Sequence, residues 1–164
     1  MSENKDLIDD EYKRKFLVIV DDTPECAKAV TFAALRVRRT GGTVVLLSII
    51  EPDQFQHWLG VEEVMRTEAY ETCQNLQARH AANIAAFGSI KTEKLVREGK
   101  KTDVIEALLA EDPDIAILVL AAADSSEGPG PLVTQIAARG HNAFRVPVTV
   151  VPGSISDADL AALC

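Results

Sequence analysis

The chain has 164 residues, of which 47% are hydrophobic and 26% charged, and its 17 Lys and Arg against 25 Asp and Glu leave a formal net charge of −8. This length and apolar content suit one domain, residues 1–164, with an ordinary core, and exclude collagen-like, disulfide-scaffold and intrinsically disordered classes. The acidic excess argues against a nucleic-acid partner, whose sequence-independent grip needs clustered Lys and Arg.

The opening stretch MSENKDLIDDEYKRK carries no apolar signal core, and residues 1–13 read as a charged arm. Phe16 to Val20 is then a short apolar run rich in β-branched residues, as are Val44 to Ile50, Ile115 to Leu120 and Val146 to Val151. Continuous apolarity, in place of alternation, predicts parallel strands covered on both faces. Ile90 to Glu98 mixes polar and apolar residues and suits a sheet edge. The longest runs, residues 43–50 and 115–123, are about half of what a membrane crossing needs, so no membrane association is expected.

Helical patterns separate the strands. Thr23-Pro24 reads as a cap and first turn, followed by Ala27, Val30, Ala34 and Val37 on one face and a stop at Gly41-Gly42. Val61 to Phe87 would turn Val64, Ala69, Cys73, Leu76, Ala81 and Ile84 inward and end at Gly88. Thr102 reads as the cap of a third helix carrying Val104, Ile105, Leu108 and Leu109, which Asp112-Pro113 terminates. Pro131 opens a fourth with Val133, Ile136 and Ala137, closing at Gly140. After Pro152-Gly153, Ser156-Asp-Ala-Asp159 is a capping-box-like start to a short tail helix within residues 154–164, bearing Leu160 and Leu163 and expected to dock on the body or on a partner.

Strands alternating with helices predict an α/β fold with a doubly wound, five-stranded parallel sheet of order 3-2-1-4-5 and helices on both faces. In such sheets ligands bind where the winding reverses, at the carboxyl ends of the first and fourth strands. That places Asp21-Asp22-Thr23 opposite residues 121–130 before any motif is considered. Cys26, Cys73 and Cys164 are odd in number, far apart and without a Cys-x-x-Cys pair, which predicts free thiols in a reducing, cytoplasmic setting.

The acidic pair Asp21-Asp22 lacks the Asp-x-Asp-x-Thr spacing of a phosphoaspartyl hydrolase. It also lacks the companions of a phosphoacceptor receiver, because Arg97-Glu-Gly99 and Val151-Pro-Gly153 stand where an acceptor Asp and a Lys are needed. One of the two carboxylates would equally serve to brace the next helix. Residues 121–131 (AAADSSEGPGP) place two glycines before a helix amino terminus, an environment that suits a phosphate. Pro129 and Pro131 remove two N–H donors, Asp124 and Glu127 add negative charge, and no Lys stands in the loop, so Walker-type chemistry is excluded. A rigid turn into a Pro-started helix explains the same residues.

His57, His80 and His141 show no metal-ligand spacing, so no metal site is expected. No Ser elbow or Cys with an evident His supports nucleophilic catalysis. Phe55, His57 and Trp58 form either a contact patch or a cover for the long helix.

Taken together, Phe16-Leu-Val-Ile-Val-Asp21, Leu46-Leu-Ser-Ile-Ile-Glu-Pro52, Leu95-Val-Arg-Glu-Gly99, Asp114-Ile-Ala-Ile-Leu-Val-Leu-Ala121 and Pro147-Val-Thr-Val-Val151 resemble the universal stress protein family, over about residues 14–152. The resemblance implies an adenine nucleotide alpha hydrolase-like fold and a cytoplasmic homodimer joined through the fifth strand, residues 146–151. It also implies a crevice in which many members bind ATP. By position, Asp21 would sit by the adenine or ribose, Ile49 against the adenine, and Ala121 where nucleotide binders place the first Gly of a Gly-x2-Gly-x9-Gly-Ser/Thr motif. The chain departs from that motif: Glu127 stands three residues before Gly130, and His141 follows Gly140.

Two readings follow. The chain is a non-catalytic, dimeric stress-response or regulatory module with a degenerate nucleotide site, acting through protein partners. Alternatively it binds ATP or AMP, with Ser126, Gly128, Gly130 and Thr134 on the phosphates and a bridging Mg²⁺, with very slow hydrolysis at most.

Overall fold

The computed structural model describes residues 14–55, 60–139 and 144–164. The charged arm, His57, Trp58, Gly140 and His141 lie outside these residues.

β1 (Lys15–Ile19) buries Phe16 and Val18 on one face and Leu17 and Ile19 on the other. β2 (Thr43–Ile50) and β4 (Ile115–Ala122) divide in the same way. Val44, Leu46 and Val119 join the first face, while Val45, Leu47, Leu118 and Leu120 join the second. Such a sheet needs apolar cover on both sides, which the helices supply. α1 (Cys26–Thr40), α2 (Val61–Ala85) and α5 (Asp157–Leu163) close the first face with Ala29, Ala33, Leu76, Ile84 and Leu160. α3 (Lys101–Glu111) and α4 (Pro131–Arg139) close the second with Ile105, Leu108 and Ile136.

The sheet is parallel throughout and ordered β3-β2-β1-β4-β5, with β3 (Lys91–Glu98) and β5 (Val148–Pro152) at its edges. This is the doubly wound order expected from the sequence. Lys15 to Ile19 pair with Thr43 to Leu47 on one side, and on the other Phe16 pairs with Ile117 after a register shift. β1 therefore ties together the two halves of the sheet, and the winding reverses at its carboxyl end.

Several local expectations are corrected. Thr23 does not cap α1: Asp21 takes both the backbone N–H of Thr23, at 3.2 Å, and its hydroxyl, so the cap position falls to Glu25, without a side-chain hydrogen bond. Thr102 is a buried residue inside α3, not its cap, which is Lys100. Ala27, Val64 and Ala137 are exposed, and the inward faces pass instead through Ala29 and Ala33 in α1 and through Gln77 and His80 in α2. β5 begins at Val148, two residues later than expected, because Pro147 has no N–H to give to a ladder and contributes only its carbonyl, to Leu118 at 3.0 Å.

The tail docks on the body. Ser156 caps α5 by accepting the Asp159 N–H at 3.1 Å, Leu160 is fully buried against the α1 side of the core, and Lys28 of α1 pairs with Asp157 at 2.9 Å. Among the described residues no helix is long and apolar enough to cross a membrane.

Candidate functional site

At the carboxyl end of β1 the chain leaves the sheet through Val20, whose N–H still donates to Leu47 at 2.8 Å, and turns at Asp21. β2 and β4 end on either side of that turn, so the reversal opens a crevice with two cavities. The larger, about 380 Å³, lies on the β2 side; Ile49, Glu51, Phe55, Cys73 and Leu76 contribute to its walls. Its volume falls in the range of small-molecule pockets. The smaller, about 230 Å³, lies on the β4 side between Ala121, Gly130 and the first turn of α4. Ile19, Asp21, Asp22 and Lys101 line both.

The structure thus brings Asp21, Ile49, Ala121 and Gly130 into one crevice. Ser126, Gly128 and Thr134 do not line it. Ser126 is exposed in a loop that folds on itself, with Ala123 N–H donating to Pro129 at 2.9 Å and Gly128 N–H to Ser125 at 3.2 Å. The Thr134 hydroxyl is spent on the Gly130 carbonyl at 2.8 Å. Gly130 has φ of 105°, a conformation that L side chains rarely adopt, and this turn carries the chain into Pro131 and α4. Pro131 has no N–H to lose, and the N–H groups of Gly130, Leu132 and Val133 find no acceptor among the described residues. All three residues line the smaller cavity, where those groups and the helix dipole favour an anion.

Close packing holds the crevice in shape. Gly153, just past β5, lies so near α1 that a Cβ there would meet Glu25 Cβ at 2.9 Å and the Ala122 carbonyl oxygen at 3.0 Å. On the other side, the Gln77 side-chain amide, only 2% exposed, donates to Leu95 O at 2.7 Å, Ser48 Oγ at 3.1 Å and Leu46 O at 3.3 Å. That clasp seats α2 on β2 and β3 and fixes the wall that Cys73 and Leu76 present to the larger cavity. Phe55, 8% exposed, packs into the same cavity beneath the Arg66 guanidinium, 5.7 Å from its ring centre, so it covers the long helix instead of forming a surface patch.

The titratable groups around the crevice are set by burial. Burial is the main cause that raises the Cys26 thiol to about 11, helped by the Asp21 and Glu25 charges. Burial also raises Cys73, against a hydrogen bond with Ser48. Both are protonated at neutral pH, and all three cysteines are free. His80, 4% exposed, is pushed below its ordinary value by burial and by Arg79, and its Nδ1 has no partner among the described residues. Among the described residues no group of three His, Cys, Asp or Glu side chains is placed to hold a metal ion.

Lys101, Glu51, Gln77 and Cys73 were not singled out from the sequence as site residues. Lys101 was the most accessible to such reasoning: Gly99 N–H donates to Ile50 O at 2.9 Å, so the turn out of β3 starts α3 over the end of β2, and its first residue faces the reversal point. Gln77 was hidden because its polar side chain falls on the apolar face of a helix whose inward stripe is mixed.

Comparison with known proteins agrees with this geometry. The sequence profile of the universal stress protein family matches residues 13–152. The universal stress protein UspA from Lactobacillus plantarum has 17% identity and a TM-score of 0.69, covering 87% of this chain and 99% of its own. A universal stress protein family protein from Arabidopsis thaliana with AMP bound has 17% identity and a TM-score of 0.59, covering 89% and 98%. The universal stress protein from Archaeoglobus fulgidus in complex with dAMP has 14% identity and a TM-score of 0.61, covering 85% and 98%. No curated protein sequence matches the chain significantly. The fold is the adenine nucleotide alpha hydrolase-like one, and the chain belongs to the universal stress protein family.

Proposed function

We propose that this chain is a non-catalytic regulatory module of the stress response that binds an adenine nucleotide in the crevice between β1, β2 and β4. The observation that carries the reading is the sharing of Asp21 and Asp22 by the two adjoining cavities, one walled by Ile49 and the other by Ala121 and Gly130. An adenine ring would lie against Ile49 and Leu76 in the larger cavity. Its ribose would pass Asp21, and its phosphate would reach the free N–H groups at the start of α4. Structures of the Arabidopsis and Archaeoglobus relatives in complex with AMP and dAMP support a nucleotide in this fold. A purely binding role is favoured because, among the described residues, no His lines either cavity and the thiol that does, Cys73, is kept protonated by burial. Of the residues that the sequence reading put on the phosphates, Ser126, Gly128, Gly130 and Thr134, Gly130 lines the smaller cavity, and the phosphate contacts we propose centre on it and on the first turn of α4.

Calorimetric titration of nucleotide-free protein with AMP tests this: binding with a thermal upshift is expected, because a ligand of the native state stabilises it by mass action. Neither heat nor stabilisation at millimolar AMP would overturn the reading.

A second copy of the chain is the partner we propose for β5. Its outer edge carries unpaired backbone groups, and Val150 is 42% exposed there. β3, at the opposite edge, exposes Lys91, Glu93, Lys94 and Glu98, which discourage pairing. Sedimentation at micromolar concentration should give a dimer mass that Val150→Lys reduces to that of a monomer; a wild-type monomer would refute it. A reducing, cytoplasmic setting accords with the three free thiols.

A further inference from the structure

The charges that line the crevice are unevenly matched. Asp21, Asp22, Glu25 and Glu51 contribute four carboxylates to the two cavities, and among the described residues Lys101 is the one Lys or Arg that lines either. It lines both, at their shared border. Lys101 is half-buried and its ammonium makes no hydrogen bond or ion pair with any described residue, unlike the side-chain cations of Lys15, Lys28, Arg66, Arg97 and Arg139, which are all paired. Its ammonium is therefore available to a ligand that crosses from one cavity to the other.

We infer that the crevice selects an adenine nucleotide bearing a single phosphate, with Lys101 as its specificity-determining counter-charge, and rejects the triphosphate. The inference rests on the nucleotide reading above and names the ligand class for the same site. A phosphate monoester carries about −1.5 to −2 at neutral pH. One ammonium, the dipole of α4 and the N–H groups of Gly130, Leu132 and Val133 can answer that charge. Two further phosphates would add charge among Asp21, Asp22 and Glu25 with no second cation to meet them. Like charges brought into a partly desolvated cleft repel far more strongly than in water. Pro129 and Pro131 lack the donors that a longer phosphate chain would need, and the N–H groups of Glu127 and Gly128 are already given to Ser125.

The experiment is calorimetric titration of the full chain with adenosine, AMP and ATP, the last with and without Mg²⁺, on wild type, Lys101→Gln and Lys101→Arg. AMP should bind wild type at least about tenfold more tightly than ATP in either condition. Lys101→Gln should collapse the ratio of AMP to adenosine affinity by about tenfold, while Lys101→Arg, which keeps the charge, should retain most of it. ATP binding as tightly as AMP would overturn the inference and leave the nucleotide reading standing. So would an AMP-to-adenosine ratio that Lys101→Gln does not change. Absence of binding by every adenine compound would instead remove the nucleotide reading and the inference together.

Discussion

Replacing Gln77 with Met would test whether the polar clasp, and not apolar contact alone, seats α2 against the sheet. Met keeps nearly the same length and removes only the amide. The Gln77 nitrogen has two protons shared among Leu95 O at 2.7 Å, Ser48 Oγ at 3.1 Å and Leu46 O at 3.3 Å, so two net hydrogen bonds are lost. At about 1 kcal/mol each in a site 2% exposed, the loss comes to about 2 kcal/mol. The larger desolvation penalty is avoided, because Leu46 and Leu95 lie within the paired β2–β3 register and the Ser48 hydroxyl can rotate. For a chain of this length the corresponding fall in Tm is about 4–8 °C. Gln77→Ala should cost more, since it adds a cavity. Urea denaturation with an unchanged m-value gives the difference directly. A Gln77→Met loss below about 0.5 kcal/mol would refute the reasoning and leave Leu76 and Ile84 as sufficient anchors of the helix.

The Lys15–Asp112 pair, 2.8 Å apart, makes stability depend on pH. Burial opposes the Asp112 charge, but hydrogen bonds from Lys15 and the Asp114 N–H prevail and hold its carboxyl below the usual range. Its contribution is therefore full above about pH 4 and lost as pH falls through the lower folded value, so the gap between wild type and Asp112→Asn should shrink only on strong acidification; a gap constant from about pH 6 to pH 2 would be inconsistent. Lys15, raised chiefly by its hydrogen bond to Asp112, behaves in the opposite sense and loses its contribution above about pH 10.5. Arg145 donates to the carbonyls of Leu109, Asp112 and Ile115 at 2.8–3.0 Å, so Arg145→Ala should cost about 2 kcal/mol in denaturant titration, with Arg145→Lys recovering only part. Ser156→Ala should cost about 1 kcal/mol through loss of the α5 cap; an unchanged melting curve would mean that Leu160 alone anchors the tail. Gly153→Val should lower stability by about 1–3 kcal/mol, because its side chain would overlap Glu25 and Ala122, and full stability would show that the contact yields.

Sheet order was legible because Phe16 to Val20 and Ile115 to Leu120 are apolar without interruption, which only strands covered on both faces require, whereas Lys91 to Glu98 mixes polar with apolar residues and lies at an edge. Placement of Asp21 opposite Gly130 followed from that order alone. What escaped was side-chain competition. Thr23 looks like a helix cap in isolation, but a carboxylate two residues earlier captures it. Thr134 looks like a phosphate ligand, but one turn of helix returns its hydroxyl to Gly130. Lys101 escaped for another reason: its role depends on where β2 ends, a relation across about fifty residues that no local pattern encodes.

The position of β1 between β2 and β4 also bears on the order in which the chain folds. Its pairing with β2 closes a short loop, whereas pairing with β4 joins residues about a hundred apart and is entropically the slower event. The crevice draws its walls from both pairings, so it is completed only when the second half of the chain has docked. A molecule bound there therefore stabilises contacts formed late, and its kinetic signature would be slower unfolding at a nearly constant refolding rate.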